Sequence, residues 1–151
     1  MKTVYKIAGF LRRIYWFIFR PNTFGAKGLL IDNGKVLLVK TTYSRQFTIP
    51  GGGIKKGEKP EDTVKRELQE ETGIEVLACH KIGEYENKTE FKNDQITLFY
   101  IDDFQLGEKM DSPEIDQFSF FSLDGLPKNV SPATKRRLNT LNSEKVEHGK
   151  W

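Results

Sequence analysis

With 151 residues, 37% of them hydrophobic and 30% charged, the chain is sized for one soluble domain with a real core. Its net charge of +3 excludes a strong electrostatic pull toward nucleic acid. The single cysteine, Cys79, excludes an internal disulfide and fits a reducing, cytoplasmic compartment.

Ile7, Phe10, Leu11, Ile14, Phe17 and Ile18 recur at helical spacing. Residues 1–20 therefore read as an amphipathic helix, which Arg20-Pro21-Asn22 ends. Arg12-Arg13 in the middle and the short length exclude a transmembrane span, and no small-residue cleavage site makes the segment a signal peptide. Its apolar stripe is expected to pack on the chain's own body or on a second subunit, giving a homodimer. An interfacial membrane contact is the alternative.

The next stretch predicts a strand over Thr23–Asp32, a tight turn at Asn33-Gly34 and a returning strand over Val36–Tyr43. Phe47-Thr48-Ile49 is a short extended piece stopped by Pro50, and Gly51-Gly52-Gly53 opens a loop that runs to Gly57. A helix is predicted from Pro60 to Thr72, with Pro60 in its first turn, Gly73 at its end, and Val64 and Leu68 as its buried face. The next strand starts at Val76-Leu77. Two more, over Ile82–Phe91 and Ile96–Phe104, are joined by Lys92-Asn93-Asp94. After a loop from Leu106 to Glu114 come a short strand over Gln117–Ser122 and a closing helix over Pro132–Asn142, capped by Ser131. The sum is an α/β layered domain with a mixed sheet, divided as helix 1–20, main domain 21–143 and polar tail 144–151.

The chemistry concentrates on the 60–72 helix. Glu67, Glu70 and Glu71 fall within a narrow arc of it, where like charges repel. Divalent cations resolve that repulsion, and hard cations such as Mg²⁺ take carboxylate and phosphate oxygens. Metal-assisted attack on a phosphate compound is the first expectation. With only His80 and His148 available, zinc chemistry and a histidine-based nucleophilic triad are not expected, and adjacent Cys79 and His80 point to opposite faces of a strand.

Gly52, Glu58, Arg66, Glu67, Leu68, Glu70, Glu71, Gly73 and Ile74 match, without a mismatch, the pattern Gly, five residues, Glu, seven residues, Arg-Glu-aliphatic-x-Glu-Glu-x-Gly-aliphatic. The segment resembles the Nudix box. That resemblance implies an α/β/α sandwich and a hydrolase that cleaves a phosphoanhydride in a nucleoside diphosphate linked to another moiety. It implies that Glu67, Glu70 and Glu71, with a backbone carbonyl at Gly51, hold Mg²⁺ or Mn²⁺. Arg66 would orient the glutamates with Glu58 held close by, while the base would be a box glutamate such as Glu67 or Glu70, or a later acid, Glu114 or Asp116.

Lys27 and Arg45 are candidate substrate contacts, Lys55 and Lys56 a solvated loop, and Phe47 a core residue. No proline stands near Thr89, where the family's ADP-ribose hydrolases often carry one, and Tyr85 lies closer to the box than the tyrosine of the diadenosine-polyphosphate type. The expected substrate is therefore a nucleoside triphosphate or a small nucleotide conjugate, with no specific nucleic-acid partner. The rival expectation is a Nudix-like nucleotide-sensing or protein-binding module without turnover.

Overall fold

The computed structural model of the protein describes residues 22–88, 93–108 and 111–144. The predicted helix over residues 1–20 and the tail beyond 144 lie outside the described residues. The first predicted strand divides in two: β1 (Asn22–Leu29) and β2 (Ile31–Asp32) belong to different sheets, and the chain crosses between them at the buried Leu30. Asn33 and Gly34 turn the chain with φ of 49° and 74°, the left-handed values a two-residue hairpin turn requires. They lead into β3 (Lys35–Thr41), followed by β4 (Phe47–Thr48).

The glycine run is a strand and not a loop. β5 (Gly51–Gly53) lies antiparallel to β1, with Gly25, Ala26 and Lys27 facing Gly53, Gly52 and Gly51. No side-chain alternation marks such a strand, which is why its residues resemble a loop in the sequence. Helix α1 (Pro60–Thr72) spans the predicted residues, with Pro60 opening it and Gly73 closing it at φ 74°. In that conformation the Gly73 N–H reaches the Gln69 carbonyl.

The strand expected to start at Val76 begins at Ile74 and continues to Lys88 as β6 (Ile74–Lys88). It pairs antiparallel with β7 (Asn93–Leu106) and absorbs register shifts near Ala78 and Gly83. Asn93 and Asp94, expected in a connection, already belong to β7. β8 (Ile115–Ser122) returns along β3, and α2 (Pro132–Glu144) closes the described chain. Its first turn is held by the Ser131 hydroxyl, which accepts from the Thr134 N–H at 3.2 Å.

One sheet has the order β5-β1-β7-β6 and is mixed, because β1 and β7 run parallel. The other joins β2, β3, β4 and β8 with antiparallel pairing. Alternation along the strands feeds two cores. Ala26, Leu30, Leu37 and Phe99 pack against Val64 and Leu68 of α1; Leu29, Val36, Leu38 and Leu98 join Leu138 of α2. The helices thus cover separate cores, as the layered expectation requires.

Gly28 sets how closely α1 approaches: a Cβ there would lie 2.8 Å from Val64 Cγ1 and 2.9 Å from Leu68 Cδ1. Leu68 is fully buried at that contact. Leu68→Ala is expected to destabilise the fold by about 3 kcal/mol, from lost apolar burial plus the cavity left behind. Urea unfolding checks this, with the midpoint falling at unchanged slope.

Candidate active site

Arg66 is the hub of the site. Its guanidinium meets Glu58 through two parallel contacts, Nε to Oε1 at 2.8 Å and Nη2 to Oε2 at 3.0 Å, the fork geometry that arginine alone supplies. Nη1 reaches Glu67 Oε1 at 2.7 Å and Glu70 Oε2 at 3.2 Å, while Nη2 also donates to the Gly53 carbonyl at 3.2 Å. One side chain therefore joins the loop before α1, two glutamates of α1 and the end of β5.

Glu58 is itself fixed from three sides. Besides Arg66, its Oε2 accepts from the Lys55 N–H at 3.0 Å and the Thr63 hydroxyl at 2.8 Å. The Arg66 hydrogen bonds first, then the Lys55 N–H, hold the Glu58 carboxyl down at about 2. Thr63 was missed in the sequence. Its clue is its place in the first turn of α1, where a buried hydroxyl can reach back to the preceding loop.

Arg66→Lys is expected to lower activity roughly 10- to 100-fold, the usual effect of losing a group that orients metal ligands. A lysine keeps the charge but cannot hold Glu58, Glu67 and Glu70 from one planar fork. Steady-state kinetics check this, alongside a melting curve that separates misfolding from misplacement.

Glu67 and Glu71 line the inner side of the cluster. The space where a Gly52 side chain would stand is filled by the Glu67 carboxylate. Glu71 Oε2 accepts from the Gly51 N–H at 3.1 Å. Burial, then the nearby Glu67 charge, push the Glu71 carboxyl up to about 7; Lys27 and the Gly51 N–H pull against them, and Glu114 adds to the rise. Glu114 is exposed in the turn just before β8, where its carbonyl accepts from the Thr42 N–H. Asp116, the other later acid, is bound to Lys40 at 2.7 Å.

The half-buried Lys27 donates from its ammonium to the Ile49 carbonyl at 2.8 Å. Burial draws it below its ordinary value of 10.5, and the Glu71 and Glu67 charges oppose that fall. Arg45 stands apart on the exposed turn between β3 and β4, where its carbonyl accepts from Asn129 Nδ2 at 2.7 Å. Phe47 is core, 5% exposed, with its ring edge-on to Phe121. A cleft of about 560 Å³ opens beside Glu71, walled by Asp111, Ser112, Pro113, Ile115, Asp116 and Phe118, large enough for a nucleotide-sized group.

Among the described residues, no three carboxylate, imidazole or thiol groups already converge as a metal cage. Arg66 engages Glu67 and Glu70, and the Gly51 N–H engages Glu71. The donor set nevertheless suits a hard divalent cation. It is all oxygen, and the raised Glu71 carboxyl marks a place short of positive charge.

The NUDIX domain model matches residues 21–141. The ADP-ribose pyrophosphatase of Methanocaldococcus jannaschii is 30% identical over 105 residues, covering 67% of this chain and 62% of that protein, so the chain spans less than two thirds of it. A putative 8-oxo-dGTP diphosphatase of Bacillus subtilis is 31% identical over 112 residues, covering 74% and 73%. The crystal structure of a MutT NUDIX hydrolase from Burkholderia pseudomallei superposes with a TM-score of 0.71 at 21% identity, over 79% of this chain and 97% of that one. That likeness bears on the fold alone.

Proposed function

Because the chain belongs to the NUDIX family, we propose that it is a divalent-metal-dependent pyrophosphohydrolase. Its substrate is a nucleoside diphosphate linked to another group, a nucleoside triphosphate or a small nucleotide conjugate, cleaved by water at a phosphoanhydride bond. The observation that carries this is the Arg66 hub, which gathers Glu58, Glu67 and Glu70 against β5. The substrates named for the two relatives, ADP-ribose and 8-oxo-dGTP, support the nucleotide class rather than either compound.

Glu67, Glu70 and Glu71 would hold Mg²⁺ or Mn²⁺, with the Gly51 carbonyl as a further ligand. Such an ion, when bound, neutralises phosphate charge and makes water a better nucleophile. The chain's own residues supply the rest. Arg66 fixes the direction of Glu67 and Glu70, and Glu58 fixes Arg66. Glu114, whose charge adds to the rise at Glu71, would accept a proton from the attacking water. Lys27, and Arg45 on its exposed turn, would contact the substrate.

The test is a panel of nucleoside triphosphates, dinucleoside polyphosphates and nucleotide sugars with Mg²⁺ or Mn²⁺. Released phosphate, pyrophosphate and nucleotide products are identified, with a chelator as control. Turnover of at least one compound above the chelated control is expected. No turnover across the panel, with nucleotide binding retained, would establish the rival sensing module.

A further inference from the structure

We propose that Lys40 keeps the cleft open to phosphate: it is a positioning residue whose ammonium holds and neutralises Asp116 on the cleft wall, so that an anionic substrate meets one free carboxylate fewer. The inference rests on the nucleotide reading above and adds a residue which that reading does not use.

The charge of the cleft gives the first reason. Among the described residues, its lining carries three carboxylates, Glu71, Asp111 and Asp116, and no lysine or arginine. Such a wall repels a substrate that bears several negative charges. A divalent cation would offset the acids of α1, which leaves the far wall to be neutralised by the protein itself.

The path of β8 gives the second. Lys40 pairs with Gln117 and Thr41 with Ile115, so Asp116 is the extra residue of a β-bulge. A bulge re-aims a side chain. Strict alternation would put Asp116 on the inward face of Phe118 and Phe120, which pack against the core beneath α1. The bulge gives that place to Ile115, and the Asp116 carboxylate meets the Lys40 ammonium at 2.7 Å instead. This has a cost. Among the described residues, the buried Thr41 hydroxyl at the bulge finds no hydrogen-bond partner.

The third reason is how firmly Lys40 is held. Its ammonium lies 5.6 Å from the centre of the Phe47 ring and 3.5 Å from Gln117 Oε1. Its side chain is 23% exposed, against 53% for Asp116. The lysine is therefore the fixed partner, and the aspartate the one that faces the cleft. An ion pair this open to water adds little to stability, so stability alone does not account for it. Cancelling a charge at the mouth of an acidic cleft does.

The experiment measures KM and kcat, on the compound that the substrate panel identifies, for Lys40→Met, Asp116→Asn and the double variant. Lys40→Met is expected to raise KM about fivefold, corresponding to about 1 kcal/mol, with kcat within about twofold of wild type. Asp116→Asn should leave KM no higher than wild type, and in the double variant it should return KM to the wild-type value. Lys40→Arg, which keeps the charge, should match wild type. A lysine that only packs on Phe47 or closes the ladder gives no such rescue. An unchanged KM in folded Lys40→Met, or a raised KM that Asp116→Asn does not restore, overturns the proposal. If a melting curve shows Lys40→Met unfolded, Lys40→Gln replaces it.

Equilibrium binding of inorganic pyrophosphate with Mg²⁺ reads the same proteins without turnover, and the same order of affinities is expected. No turnover with that order intact defeats the hydrolase reading alone. Turnover with the order absent from both measurements defeats the role of Lys40 alone. Neither turnover nor pyrophosphate binding in wild type overturns both.

Discussion

Glu71→Gln is expected to lower kcat/KM for anhydride hydrolysis by roughly three orders of magnitude, about 4 kcal/mol of transition-state stabilisation, while making the metal-free protein more stable at pH 8. The two halves share one cause. Glu71 is pushed up to about 7 from an ordinary 4.5, by burial first and the Glu67 charge second. A carboxyl with a raised folded value is at ease when protonated. Its burden is absent below about 4.5, grows as pH rises through the interval to 7, and is complete above it.

Glutamine carries no charge and can still accept the Gly51 N–H through its side-chain oxygen. It should therefore add about 3 kcal/mol at pH 8 and almost nothing at pH 4. Metal reverses the comparison, since an ion bound only by the folded wild type stabilises it by mass action. Melting curves at both pH values, with chelator and with Mn²⁺, plus steady-state kinetics, check the whole set. Near-normal turnover in the variant would remove Glu71 from the metal site.

The elements that positioned the site were readable where side-chain chemistry is directional. Pro60 and Gly73 bracket α1 because proline lacks the N–H that a first turn leaves unused, and glycine takes the left-handed closing conformation. The spacing of Glu58, Arg66, Glu67, Glu70 and Glu71 is local, within one loop and helix, so sequence distance reports spatial distance. What failed was non-local. β5 has no side chains to alternate, and its identity comes from β1, a strand 24 residues earlier at the Lys27–Gly51 pair. The early start of β6 at Ile74 likewise depends on β7, which no local pattern foretells. Thr63 and Lys27 matter through contacts with Glu58 and the 49–51 turn, and neither contact has a signature in residue type alone.

Three consecutive glycines provide a sharper test of the site, because the same substitution should have three different outcomes. Gly51 has a φ of 142°, and a methyl group there would overlap the Ala26 carbonyl oxygen and lie 2.7 Å from Lys27 Cα. Those atoms are backbone and cannot swing aside. Gly51→Ala is expected to lose about 3 kcal/mol of stability and the activity with it. At Gly52 the added methyl would meet the Glu67 carboxylate, the far end of a flexible side chain, which can rotate away. The fold should survive with a loss of about 1 kcal/mol, but Glu67 leaves its place, and activity is expected to fall roughly 100-fold. At Gly53 nothing lies within 4 Å of the new methyl, while the carbonyl that Arg66 Nη2 uses is backbone and remains. Gly53→Ala should leave activity unchanged and stabilise slightly, by about 0.5 kcal/mol, through a less flexible unfolded chain. Melting curves and kcat/KM for the three variants check the order. A Gly52→Ala enzyme as active as Gly53→Ala would mean that the Glu67 carboxylate can leave the glycine edge without consequence, and that its position against β5 does not matter for catalysis.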